Sequence, residues 1–148
     1  MTSTVLPNVT AVAIDGRALL IEGPSGSGKT SLALALIDRG AMLIGDDAVT
    51  LVNDGGQLVA APPPNTRGKI EVRNVGIVEM PAMEAPVAII LTLDHDAERY
   101  PLELGFRELE GVAIPLLRFA PGDAVQAIRA EYALLKHGLG FPSPTQTA

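Results

Sequence analysis

A chain of 148 residues is the length of one compact domain, and 47% hydrophobic against 19% charged residues gives it a packed core, which aliphatic side chains must fill because aromatic residues make up 3%. With no cysteine, disulfides, thiol nucleophiles and cysteine-bound zinc are excluded, and His95 and His137 lack metal-site spacing. A formal charge of −6, with 11 Lys and Arg scattered along the chain, argues against nucleic acid as a partner, and without a basic leader or a run of roughly 18 to 20 apolar residues the expected setting is the cytoplasm, with no membrane.

Residues 10–14 (TAVAI) and 18–21 (ALLI) are apolar and flank Asp15-Gly16, a hairpin turn pair, so two antiparallel strands should lead into a glycine-rich loop. From 29 to 39, KTSLALALIDR is too long and too rich in Ala and Leu for a strand; it predicts a helix stopped by Gly40. Residues 42–44 then form a short buried strand with Asp46 and Asp47 at its carboxyl end. Residues 49–52 and 57–60 surround Asn53-Asp54-Gly55-Gly56 as another hairpin, and Pro62, Pro63 and Pro64 end its pairing by withholding amide donors. Further strands are expected at 70–72, 76–80, 87–93 and 114–119, which makes the sheet large. A last helix should begin at Asp123, capped with the help of Gln126, with Val125, Ile128, Tyr132 and Leu135 on one face. Between 92 and 115 the pattern is weakest, and a loop there suits the docking of a partner. Residues 1–140 read as a single domain and 141–148 as a frayed tail.

The loop itself, Gly23, Pro24, Ser25, Gly26, Ser27, Gly28, Lys29 and Thr30, is a full match to G-x-x-x-x-G-K-[ST]. Phosphate oxygens need several amides converging on one point; glycines allow the tight turn and the close approach, and the following helix adds its N-terminal dipole. Lys29 can reach the β- and γ-phosphates, and the Thr30 hydroxyl suits octahedral Mg²⁺. The bland alternative is a glycine-rich turn that only bends the chain. Asp46 and Asp47 carry the next step: one carboxylate at such a strand end can hold magnesium and another can take the proton of an attacking hydroxyl. Neighbours in an extended stretch face opposite sides, and a solvated turn is the alternative reading.

GPSGSGKTSLALALIDRGAMLIGDDAV followed by AAPPPNTRGKIEVRNVGIVEM resembles the catalytic domain of HPr kinase/phosphorylase, in particular its short forms without a separate N-terminal domain, over about residues 8–119. The resemblance implies an α/β fold, a P-loop kinase of the HPr kinase / phosphoenolpyruvate carboxykinase type with a mixed central sheet and few helices. It implies ATP and Mg²⁺ as cofactors, a seryl hydroxyl of the phosphocarrier HPr as acceptor, in many members a reverse reaction with inorganic phosphate, and a homo-oligomer, hexameric in the longer relatives. By position, Gly23 to Thr30 match the nucleotide loop, with Ser31 beside it, Lys29 on the phosphates and Thr30 on magnesium. Asp47 matches the aspartate acting as base, leaving Asp46 as metal helper. In IEVRNVGIVE, Glu71 corresponds to a further magnesium ligand and Arg73 helps shape the site; Arg99, in DAERYP, is similar to a catalytic arginine.

The departures from the family pattern are specific. Asn8 stands where the family has a histidine, and asparagine does not exchange protons near neutrality. Ser31 replaces an acidic residue, Asn74 replaces a glycine, and the basic segment tied to dephosphorylation is not recognisable in LLRFAPGDA. Kinase activity is therefore expected to survive better than phosphorylase activity. A non-catalytic ATP sensor descended from the kinase remains an alternative, supported by Asn8 and Ser31. A small-molecule kinase lacks its arginine-rich lid here, a GTPase lacks N-K-x-D, and an ABC-type ATPase needs far more chain.

Overall fold

The computed structural model describes residues 3–101 and 103–141. In chain order its elements are β1 (Ser3–Pro7), β2 (Val9–Ile14), β3 (Arg17–Glu22), α1 (Lys29–Asp38), β4 (Met42–Gly45), β5 (Ala48–Asp54), β6 (Gln57–Ala61), β7 (Lys69–Val72), β8 (Gly76–Glu79), β9 (Ala85–Leu93), β10 (Gly105–Leu109), β11 (Val112–Phe119) and α2 (Gln126–His137). Strands β1, β5, β6, β9, β3, β2 and β4 neighbour one another in that order; β11 adds to β9 and β10 to β11, while β7 and β8 form a separate hairpin.

The centre is β9, whose run APVAIILTL has almost no polar position because both of its faces are covered. It pairs in parallel with β3 and with β11 and antiparallel with β6. Alternation along β2 and β3 sorts their side chains between two cores. Val12, Leu19 and Ile21 pack with Leu32 and Leu36 of α1 and Ala130 and Leu134 of α2, whereas Ala11, Ala13, Ala18 and Leu20 pack with Val49 and Leu51 of β5 and Leu58 of β6. Helices thus cover one face of the central strands and the β1–β5–β6 strands cover the other. The β2–β3 turn uses Asp15 (φ 50) and Gly16 (φ 80), both left-handed, as a two-residue hairpin demands.

The expected hairpins, the first helix and the short strand before the acid pair all form, with ends shifted by a residue or two. Two strands, β1 and β10, were not expected. Both are largely exposed, so neither carries the apolar alternation of a covered strand; the weakly patterned stretch before 115 turns back as the β10–β11 hairpin. The last helix needs one correction. It begins at Gln126 after Val125, with no side-chain cap; Asp123 Oδ1 accepts instead from the Val125 amide at 3.1 Å and Gln126 Oε1 from the Gly122 amide at 2.9 Å, so the pair holds the turn ahead of the helix. Its covered face is Ala127, Ala130, Ala133 and Leu134, and Val125, Ile128, Tyr132 and Leu135 face outward on the opposite side. Small side chains let α2 lie close against α1 and β9, a fit that the bulkier stripe does not allow. At the chain end Phe141 packs against the helix-side core; the rest of the expected tail, 142–148, lies outside the described residues.

Candidate active site

Because β3, β9 and β11 run parallel and β4 runs antiparallel to β2, the carboxyl ends of all four strands gather at one edge of the sheet, where ligands of open α/β sheets bind. The glycine loop leaves β3 there. Its Ser27 amide donates to Pro24 O at 3.0 Å, Gly26 (φ 81) and Gly28 (φ 105) take left-handed angles, and a Cβ on Gly23 would stand 2.7 Å from Ser27 Oγ. Gly28 caps α1 without a side-chain hydrogen bond, which leaves first-turn amides free to face an anion. The side chain of Lys29 is folded into the loop, with Nζ donating to Gly23 O at 2.7 Å and Pro24 O at 3.3 Å. Among the described residues the ion pairs do not include Lys29, and Ser27 Oγ is buried without a partner. A buried cation resting on carbonyls beside an orphaned hydroxyl is a fit for an anion.

The acidic turn is shaped by a bulge. The β2–β4 register shifts between Ala11 and Val12, and Gly45 closes so tightly that a Cβ would lie 2.2 Å from Ala48 O. Asp46 Oδ1 accepts from Thr30 Oγ1 at 2.9 Å and Thr10 Oγ1 at 3.1 Å, and Oδ2 from the Glu71 amide at 3.2 Å. Asp47 is left-handed (φ 65); its amide donates to Thr10 Oγ1 at 3.2 Å and its carbonyl accepts from the Asn8 amide at 2.8 Å, while its side chain is exposed. Asn8 (φ 63) is left-handed too, a conformation asparagine tolerates. Across the gap stands the β7–β8 hairpin, turned by Asn74 (φ 67). The resulting cleft, about 1410 Å³, is lined by the loop, Asn8, Asp46, Asp47, Glu71 and Arg73.

Arg99 is elsewhere. It lines a second, smaller cavity of about 470 Å³ with Arg118, Phe119 and Arg129. There Arg118 pairs with Asp94 and with Glu98, and the Arg118 hydrogen bond, helped by the Asp96 amide, holds the Asp94 carboxyl below its usual range. Just before the loop, Glu22 pairs with Arg107 and accepts from Thr92 Oγ1 at 2.7 Å. Thr10, which lines the cleft, and Gly45, which shapes the acidic turn, are residues that sequence reasoning missed. A glycine directly ahead of two acids at a strand end was a usable signal for Gly45; nothing in the strand pattern marked Thr10.

A phosphate-loop motif thus lies between strand and helix, facing carboxylates at the carboxyl edge of a mixed sheet. The family model described as HPr Serine kinase C-terminal domain matches residues 2–89, more than half of the chain, and the chain belongs to that family. HPr kinase/phosphorylase of Clostridium novyi (strain NT) is 44% identical over 153 residues, covering 92% of this chain and 50% of that protein. The Clostridium perfringens (strain 13 / Type A) protein of the same name is 33% identical over 132 residues, covering 79% and 43%. The chain thus spans half or less of these relatives. The solved Hpr(Ser) kinase/phosphatase of Coxiella burnetii superposes with a TM-score of 0.79 at 25% identity, over 90% of this chain and 95% of that chain.

Proposed function

We propose that the chain is a catalytic domain, residues 1–140, that transfers the γ-phosphoryl group of ATP to a serine of HPr or a close relative, in a fold of the phosphoenolpyruvate carboxykinase type. The observation that carries this reading is the convergence of the phosphate loop, Asp46, Asp47 and Glu71 on one cleft. In it, loop amides and Lys29 bind the phosphates and Arg73 shapes the wall; Arg99 acts only if the second cavity opens onto the reacting groups. Asp47 accepts the seryl proton as the serine oxygen bonds to phosphorus and the bond to the ADP oxygen breaks. Thr30, Asp46 and Glu71 are the magnesium-side groups. With its proton donated to Asp46, the Thr30 oxygen keeps lone pairs for a cation. Among the described residues no three His, Cys, Asp or Glu side chains form a metal site of their own, which suits magnesium, an ion that keeps waters and shares phosphate oxygens. Bound magnesium would neutralise phosphate charge during transfer.

With Asn8 in place of a proton-exchanging group beside Asp47, the reverse reaction with inorganic phosphate is slow. The same residue and Ser31 favour a second reading, a non-catalytic ATP sensor. We place either protein in the cytoplasm as a homo-oligomer, in the form of a hexamer, acting without nucleic acid; among the described residues no helix is long and apolar enough to cross a membrane. Labelled ATP, magnesium and HPr from the same organism test the choice. Label on a serine of HPr is the expected result, and ATP binding without transfer would instead establish the sensor.

A further inference from the structure

We propose that Thr10 is a positioning residue of the acidic turn, fixing Asp46 and Asp47 against Thr30 and thereby setting how well the cleft accepts the magnesium complex of a nucleotide. The inference rests on the reading of the cleft as a magnesium-nucleotide site. Along β2, Val9, Ala11 and Ala13 point into the core under β5 and β6, whereas Val12 points into the core under the helices. Thr10 shares the parity of Val12, so alternation puts a hydroxyl on the face that α1 covers.

That hydroxyl is completely buried, and among the described residues Thr10 and Lys29 are the buried polar or charged side chains. It donates to Asp46 Oδ1 at 3.1 Å and accepts from the Asp47 amide at 3.2 Å, so its proton and a lone pair are both engaged. The Asp46 oxygen it reaches is the one that also accepts from Thr30 Oγ1. One buried hydroxyl therefore ties β2 to the first turn of α1 and to both acids. It also anchors the amide of a residue held at a left-handed angle, a conformation that persists only where its surroundings determine it.

Valine matches threonine in shape, so Thr10→Val removes the hydroxyl with little change of volume, leaving the Asp47 amide without this partner and Asp46 with the Thr30 and Glu71 donors alone. Calorimetry of ADP binding, with and without magnesium, reads the consequence on the intact chain. In the wild type magnesium strengthens ADP binding. In Thr10→Val the magnesium-free affinity stays within about twofold and the magnesium-dependent gain falls about tenfold, the scale of one charge-assisted hydrogen bond. Thr10→Ser restores the gain. Thr50→Val, which removes a buried hydroxyl that has no partner, leaves it unchanged. If the valine variant does not fold, Thr10→Ala reads the same quantity. An undiminished magnesium gain in the hydroxyl-free variant, or an equal loss with and without magnesium, overturns the inference. A wild type that binds ADP under neither condition overturns the reading of the cleft itself.

Discussion

Asp47 carries two demands that pull on different atoms. Its backbone sits at φ 65, held by the Asn8 amide and the Thr10 hydroxyl, and its carboxylate is left exposed to the cleft. Asparagine tolerates the left-handed region as well as aspartate does, so Asp47→Asn separates the demands. Its stability should change by less than about 0.5 kcal/mol and its Mg-ATP affinity by less than about twofold, while phosphoryl transfer to HPr falls at least about a hundredfold. Near-normal turnover would remove Asp47 as the base. Gly45 is bound by sterics instead. An alanine there drives its Cβ into Ala48 O, so thermal unfolding of Gly45→Ala should report a loss of about 2 kcal/mol or more; an unchanged melting temperature would mean that the turn relaxes freely. The loop and the acid pair stood out by residue type and spacing, whereas Glu71, which lines the same cleft, was marked only by the family resemblance and by itself reads as an exposed strand residue. Asn74 was legible as a departure, and its angle of φ 67 shows asparagine taking the conformation a glycine would permit.

At the scale of elements, legibility followed covering. Strands β2, β3 and β9 are buried and read from their apolar patterns, whereas β1 and β10, largely exposed, left no such trace. For α2, periodicity reports that the helix has two faces and that Val125, Ile128, Tyr132 and Leu135 share one of them, but not which face is inside. An alanine stripe packed against α1 is the actual interior face. Adjacent leucines test this directly. Leu134 is 1% exposed and Leu135 70%. Denaturant unfolding should give Leu134→Ala a loss of about 2 to 4 kcal/mol and Leu135→Ala less than about 0.5 kcal/mol. Equal losses would contradict the packing described for α2.

For the whole molecule, the arrangement of strands explains why one edge collects the chemistry. Parallel β3, β9 and β11 and the reversed pair β2–β4 send the glycine loop and the acid pair to the same side, and the β7–β8 hairpin forms the facing wall. The net charge of −6 would oppose a polyanionic nucleotide, so the proposed function requires attraction from local groups, the loop amides and the enclosed Lys29. Titrating Mg-ATP into the folded protein by calorimetry tests this most directly. The wild type should give a saturable heat at micromolar to millimolar nucleotide, and Lys29→Ala should weaken it about tenfold or more. Well-folded wild-type protein that shows no heat with Mg-ATP in the millimolar range would contradict the account.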